Sequence, residues 1–204
     1  MRRFWGLMRA YWFSERWREA WSLTLMVVLL TALASKASVW MAEASGDLVN
    51  AIASYHRPDN EAPFAYLLTS AGTLFLLVLL KDAGFTGVRH LFSTTLHRKW
   101  RAWLDRQFND ALLDANHTHF HVQHDPGEGP AAAPDNVDQR VQEAIKGMTG
   151  GAIGLAMGII GVITAVFFVG QKLLETSTVV DGLEFLGTYG SAVLAFAAVV
   201  AYVP

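Results

Sequence analysis

The sequence predicts an all-α membrane protein with four transmembrane helices, the second and third of which extend into the cytoplasm. Three observations carry this. Of 204 residues, 52% are apolar and only 17% charged, against about 25% charged in an average soluble domain. The apolar residues gather in four runs of roughly 20, the length a helix needs to cross the hydrocarbon layer. Between the second and third runs, apolar residues recur at helical spacing. The net charge of −2 provides no general basic field, so nucleic acid is not expected as a partner. Without cysteine there is no disulfide scaffold, thiol nucleophile or cysteine zinc site.

Residues 1–19 read as a cytoplasmic, amphipathic segment at the membrane interface. Phe4, Trp5, Leu7, Met8, Tyr11, Trp12, Phe13 and Trp17 lie there among arginines. Aromatic and basic residues together suit the headgroup region; a partner-binding elbow is the sharper alternative. Residues 20–204 form the membrane domain, with spans at about 20–42, 63–85, 150–170 and 185–203. Ala32-Leu33-Ala34 fits a signal-peptidase pattern, but the long aromatic leader and the three later spans argue for a retained first helix.

Lys and Arg counts orient the chain. The N-terminal segment and the segment between spans two and three carry twelve, whereas the other two loops carry only Arg57 and Lys172. The positive-inside rule then places the N-terminus and the long middle segment in the cytoplasm.

After span two, Leu96, Trp100, Trp103, Leu104, Phe108, Ala111, Leu112 and Ala115 make one apolar stripe on a continuing helix. Arg101–Asp105 and Arg106–Asp110 are spaced to pair on its surface. A turn-rich loop, Asp125–Pro134, follows. The next helix begins near Asn136, with Gln139 completing a capping box or Asp135 as the cap. Val137, Val141, Ala144, Ile145 and Met148 form its stripe, and it runs on into span three. The two extended helices should return as an antiparallel pair. Span three carries Gly147, Gly150, Gly151, Gly154, Gly158 and Gly161, a small-residue seam for close helix approach rather than a ligand site.

Four imidazoles, His117, His119, His121 and His124, fall within eight residues. They are candidate ligands for zinc, nickel or copper; the plainer reading is a solvated helix end. Lys36 is the one charge deep in a span, about 9 Å from its outer end at 1.5 Å per residue. It either snorkels or lines a water-filled cavity. No G-x-x-x-x-G-K-[ST], H-E-x-x-H or G-x-S-x-G motif occurs, so no usual nucleotide-phosphate cradle is expected in this chain and a membrane-embedded enzyme has no support from its motifs.

Three blocks resemble a known family. Tyr11-Trp12-Phe13-Ser14-Glu15-Arg16-Trp17 is similar to the segment leading into the first helix of SbmA/BacA-like ABC-type permeases, a group related to ATPase-fused bacterial and peroxisomal fatty-acyl transporters. Asp135–Glu143 resembles the family's N-P-D-Q-R-[IV]-x-E-D block, and Arg98–Leu104 its R-W-R-x-W-L segment. Asp47 to Ile52 is a weaker match to the segment after the first helix. Val137 stands where the family usually has Pro, Ala144 where it has a second acid, and His119-Phe120 where a Tyr pair is common.

The resemblance implies the first four helices of a six-helix ABC exporter-type (type-1) transmembrane domain, hence a fragment or truncated gene product. It implies a homodimer, multi-pass in the bacterial inner membrane, moving peptide-like or amphipathic small-molecule substrates. The chain itself would need no cofactor; ATP with Mg enters only if a nucleotide-binding domain follows, and protons are the other possible drive. In the proton-driven members the acid of the D-Q-R block is a coupling candidate, here Glu143. Gln139, Arg140, Lys36 and Asp47 complete the coupling or cavity candidates. The competing reading is a metal-linked membrane protein built on the histidine cluster.

Overall fold

A computed structural model describes residues 6, 9–57, 61–113, 137–177 and 184–202. Among the described residues all regular structure is helical. A short 3-10 turn, Tyr11–Phe13, precedes α1 (Trp17–Ala53). Then come α2 (Pro63–Leu79), a π-helical stretch (Leu80–Gly87) and α3 (Val88–Leu112). α4 (Val137–Glu175), a 3-10 segment (Glu184–Tyr189) and α5 (Gly190–Tyr202) follow.

Three helices are long and apolar enough to cross a membrane: Trp17–Ala53, the run through Pro63–Ala111, and Gln139–Glu175. The first is 37 residues and the second 49. At 1.5 Å per residue these are about 55 and 74 Å long, well beyond a hydrocarbon layer of about 30 Å. The 13-residue α5 lies within the expected fourth span but is shorter than it. Its start is delayed by Gly187, whose φ of 57° and ψ of −137° break the helix. Only glycine adopts that backbone cheaply.

α1 starts where Ser14 organises the turn: its hydroxyl donates to the Tyr11 carbonyl at 2.7 Å and accepts the Arg16 N–H at 3.2 Å. This helix continues to Ala53 through Glu43, Ser45, Asp47 and Asn50, past the end of its uncharged run. Pro63 at the first position of α2 has no N–H to leave unpaired. Span two does not leave as a uniform α-helix: eight residues around Gly84 form wider π turns, an arrangement usually limited to a single turn.

The chain divides into two compact units. Unit 1 comprises residues 1–30 and 87–159. Its core holds Tyr11, Ala20, Leu96, Trp100, Leu104, Ile145 and Ile153. Leu96, Trp100 and Leu104 come from the stripe of α3, and Ile145 from the stripe of α4. Ser93 donates to Met157 Sδ at 3.1 Å, and a Cβ on Gly150 would lie 3.6 Å from His97 Nε2. Later residues of α3 thus meet earlier residues of α4, so the two run antiparallel, as expected.

Unit 2 comprises residues 31–86 and 160–204. Ser35 and Thr164 share a hydrogen bond of 2.9 Å between α1 and α4. Ser177 and Ser191 are 3.0 Å apart, and Ser177 Oγ accepts the Ala192 N–H at 3.2 Å, tying the end of α4 to the start of α5.

Of the expected glycine seam only part meets another helix: a Cβ on Gly150 would lie 3.6 Å from His97, and one on Gly161 4.0 Å from Thr31. Ala20, Val27 and Ala34, and Leu30, Ala37, Ala44 and Ala51, are buried along α1 at steps of seven. In α4, a Cβ added to Gly147, Gly151, Gly154 or Gly158 would meet nothing within 4 Å. Those glycines do not form a seam within this chain. The buried positions of α1 share one face because seven residues are nearly two helical turns.

Candidate functional site

The aromatic N-terminal segment divides into two faces. Tyr11 is fully buried, and Trp12 packs edge-on to Trp100 with ring centroids 4.8 Å apart. The Trp12 indole N–H donates to Thr24 Oγ1 at 2.9 Å. Phe13, Trp17 and Trp21 instead point outward, 76%, 51% and 50% exposed. The first face meets protein and the second is free to meet the headgroup region.

Two contacts to carboxylates secure the inner face to α3. Trp103 Nε1 donates to Glu15 Oε1 at 3.0 Å. Lys99 forms an ion pair with Glu19, which also lies 3.7 Å from Arg16. The Glu15 carboxyl is held below its ordinary range, first by its own backbone N–H, then by the Trp103 indole, Arg16 and Arg106. Burial pushes the Tyr11 phenol above its ordinary value, partly opposed by Arg16. On α3, Arg101 reaches Asp105 at 3.5 Å, as its spacing predicts. The Arg106–Asp110 pair is not formed among the described residues; Arg106 acts on Glu15 instead.

The sequence identified both blocks, 11–17 and 98–104, without joining them. The available signal was their shared composition: each alternates aromatic rings with charges, and the charges are complementary at Glu15, Glu19 and Lys99.

The D-Q-R candidates lie on the outer face of α4. Gln139, Arg140 and Glu143 are exposed, and Gln139 Nε2 donates to Glu143 Oε1 at 2.9 Å, one turn on. Lys36 and Asp47 belong to unit 2. The Lys36 ammonium sits 5.4 Å from the Phe168 ring centroid, a cation–π contact with α4. Asp47 is exposed at a small pocket of about 110 Å³ with Tyr66, Thr69, Ser70 and Thr73. The two share a helix but not a site: eleven residues, about 16 Å, separate them.

Unit 2 also holds a charge pair that sequence reasoning missed. Lys172 Nζ reaches Glu43 Oε1 at 2.5 Å, across the ends of the apolar parts of α1 and α4. A mostly apolar groove of about 320 Å³, lined by Ser38, Val39, Ala42, Val169 and Leu173, opens beside it. Glu43 and Lys172 each sit just past the end of an apolar run, which was the signal available.

His117, His119, His121 and His124 lie outside the described residues, as do Asp135, Asn136 and the 125–134 loop. Among the described residues no group of histidines and acids is arranged to hold a metal.

Few residues of the apolar parts of α2 and α4 are buried: 6% of the most apolar window in each of these two helices, against 33% in α1. Phe64, Leu68, Phe75 and Leu76 on α2, and Val162, Ile163, Val166 and Phe167 on α4, are exposed. Such a surface belongs in lipid or against further helices. The protein is therefore a multi-pass membrane protein in a bilayer.

No curated protein and no solved structure matches the chain. A family profile described as ABC transporter transmembrane region 2 matches residues 7–203, nearly the whole sequence. With long, lipid-ready helices bearing out the same architecture, the chain belongs to the ABC transporter transmembrane region 2 family.

Proposed function

We propose that this chain is the permease part of an ABC-type transporter of the SbmA/BacA-like kind, moving peptide-like or amphipathic small molecules across the bacterial inner membrane. The observation that carries the reading is the family match over residues 7–203 on helices whose apolar faces are nearly bare. Bare faces on α2 and α4 suit a pathway wall completed by further helices and by a second protomer. Positive charge at both the N-terminal segment and α3 supports a cytoplasmic N-terminus.

The chain's own residues do not fit a nucleotide. Its cationic groove, formed by Arg16, Arg98, Lys99 and Arg101, has no glycine-rich phosphate loop. We read the energy source as ATP hydrolysis in a nucleotide-binding domain outside these 204 residues. In this reading Glu143, exposed and hydrogen-bonded to Gln139, is a solvated surface acid of α4 rather than a proton carrier.

The test is accumulation of a fluorescent cationic amphipathic peptide by cells with and without the gene. Loss of transport on deletion is expected, with restoration by the intact gene. Identical accumulation in both strains overturns the permease reading. In the complemented strain, Glu143→Gln should retain uptake; abolished uptake with normal protein levels moves the assignment to proton coupling.

A further inference from the structure

Unit 1 contains a cationic groove that the permease reading does not use. It measures about 480 Å³ and is lined by Arg16, Thr95, Arg98, Lys99, Arg101, Ala102 and Asp105. Arg16 comes from the N-terminal segment, and the rest come from α3. The carboxylates near these four cations are Glu15, beside Arg16, Glu19, on Lys99 and near Arg16, and Asp105, on Arg101. One positive charge is left in excess. Arg98 is exposed and forms no ion pair among the described residues.

We propose that this groove binds the phosphodiester headgroup of an anionic membrane lipid. Guanidinium forks match phosphate oxygens in a bidentate geometry that an ammonium lacks. The groove has more than ten times the volume of a water, about 30 Å³ in the liquid, so a phosphate with its glycerol has room. A free phosphate and a lipid headgroup share this chemistry; the surroundings favour the lipid. On either side of Arg16 in the chain stand Phe13 and Trp17, and one turn on from Trp17 is Trp21, all half-exposed or more. Exposed rings of this kind sit at the headgroup level of a bilayer. They serve no purpose for a soluble anion. Anionic lipids also enrich the leaflet to which basic segments are drawn.

The experiment uses the full chain in nanodiscs of phosphatidylcholine, with or without phosphatidylglycerol, and reads the unfolding midpoint and the lipid retained in native mass spectrometry. Phosphatidylglycerol should raise the midpoint and remain bound, and added salt should weaken both effects. Arg98→Gln, which breaks no ion pair, should lower phosphatidylglycerol affinity about tenfold, the value of one charge-assisted bond. Arg57→Gln, in unit 2, should leave it unchanged. Equal behaviour in the two lipids, or equal affinity of Arg98→Gln and the parent protein, overturns the proposal. Inorganic phosphate or glycerol phosphate reproducing the whole stabilisation also overturns it, in favour of a soluble anion. None of these readouts depends on transport, so failure here leaves the permease reading standing.

Discussion

Replacing Trp100 tests whether the N-terminal segment truly docks on α3. Its side chain is fully buried, edge-on to Trp12, in a core with Tyr11, Leu96, Leu104 and Ile145. Truncating a buried Trp to Ala costs about 3–5 kcal/mol. Of this, the edge-to-face pair accounts for about 0.5–1.5 kcal/mol. The indole N–H is buried without a hydrogen-bond partner among the described residues. Keeping such a donor costs about 1–3 kcal/mol. Trp100→Phe removes it while retaining a ring, so its lost volume is largely offset and its net effect falls within about 1 kcal/mol of zero. Trp100→Ala should therefore lower the guanidinium unfolding midpoint strongly, and Trp100→Phe hardly at all. The assay is circular dichroism of the full chain in a mild detergent. A double-mutant cycle with Trp12→Ala should return the coupling of the pair. If Trp100→Ala unfolds with the parent protein, or Trp100→Phe is as damaging as Ala, the docked segment is refuted.

Tyr11→Phe should stabilise the protein, because the buried phenol oxygen has no partner among the described residues; a lowered midpoint contradicts this. Its raised pKa gives the sign of the alkaline limb. Tyr11's contribution is complete below the unfolded value near 10 and is lost as pH climbs through the folded value, so Tyr11→Phe should flatten stability above about pH 10. Glu15 acts oppositely: its contribution is present above the unfolded carboxylate value and fades as pH falls through the depressed folded one, which Glu15→Gln should abolish in an acid titration. The Glu43–Lys172 pair is more than a third exposed, so Glu43→Gln should cost less than about 1 kcal/mol and less still at high salt. Gly154→Ala has open space for its methyl group and should leave the monomer fold intact or strengthen the helix by up to about 1 kcal/mol, read as the detergent melting temperature.

Hydropathy located the three long apolar helices because bilayer thickness imposes a length, and period 3.6 revealed the α3 and α4 stripes because water imposes a buried face. Leu96, Trp100, Leu104 and Ile145 appear in the core for that reason. Local rules were silent elsewhere. α1 runs to Ala53, with Gly46 inside it, whereas hydropathy marks only its apolar part. The π stretch at Leu80–Gly87 leaves no periodic signature. Which small residues touch depends on which helix faces which, so of the α4 glycines Gly150 and Gly161 face another helix while Gly147, Gly151, Gly154 and Gly158 face open space. The site candidates follow the same division. Lys36 was legible as an isolated charge, but Phe168 as its partner and Glu43 as that of Lys172 are pairings across more than a hundred residues of chain.

The bare flanks of α2 and α4 also govern how this protein can be made and measured. With only 6% of the residues in those apolar windows buried by protein, the surrounding amphiphile must cover much of the rest. A newly made α2 released into water would expose Phe64, Leu68, Phe75 and Leu76 together, and aggregation would outrun folding. Delivery to the bilayer during synthesis avoids that fate. Any melting temperature recorded afterwards belongs to the chain together with its detergent or lipid, and two laboratories using different micelles will be measuring two different thermodynamic systems.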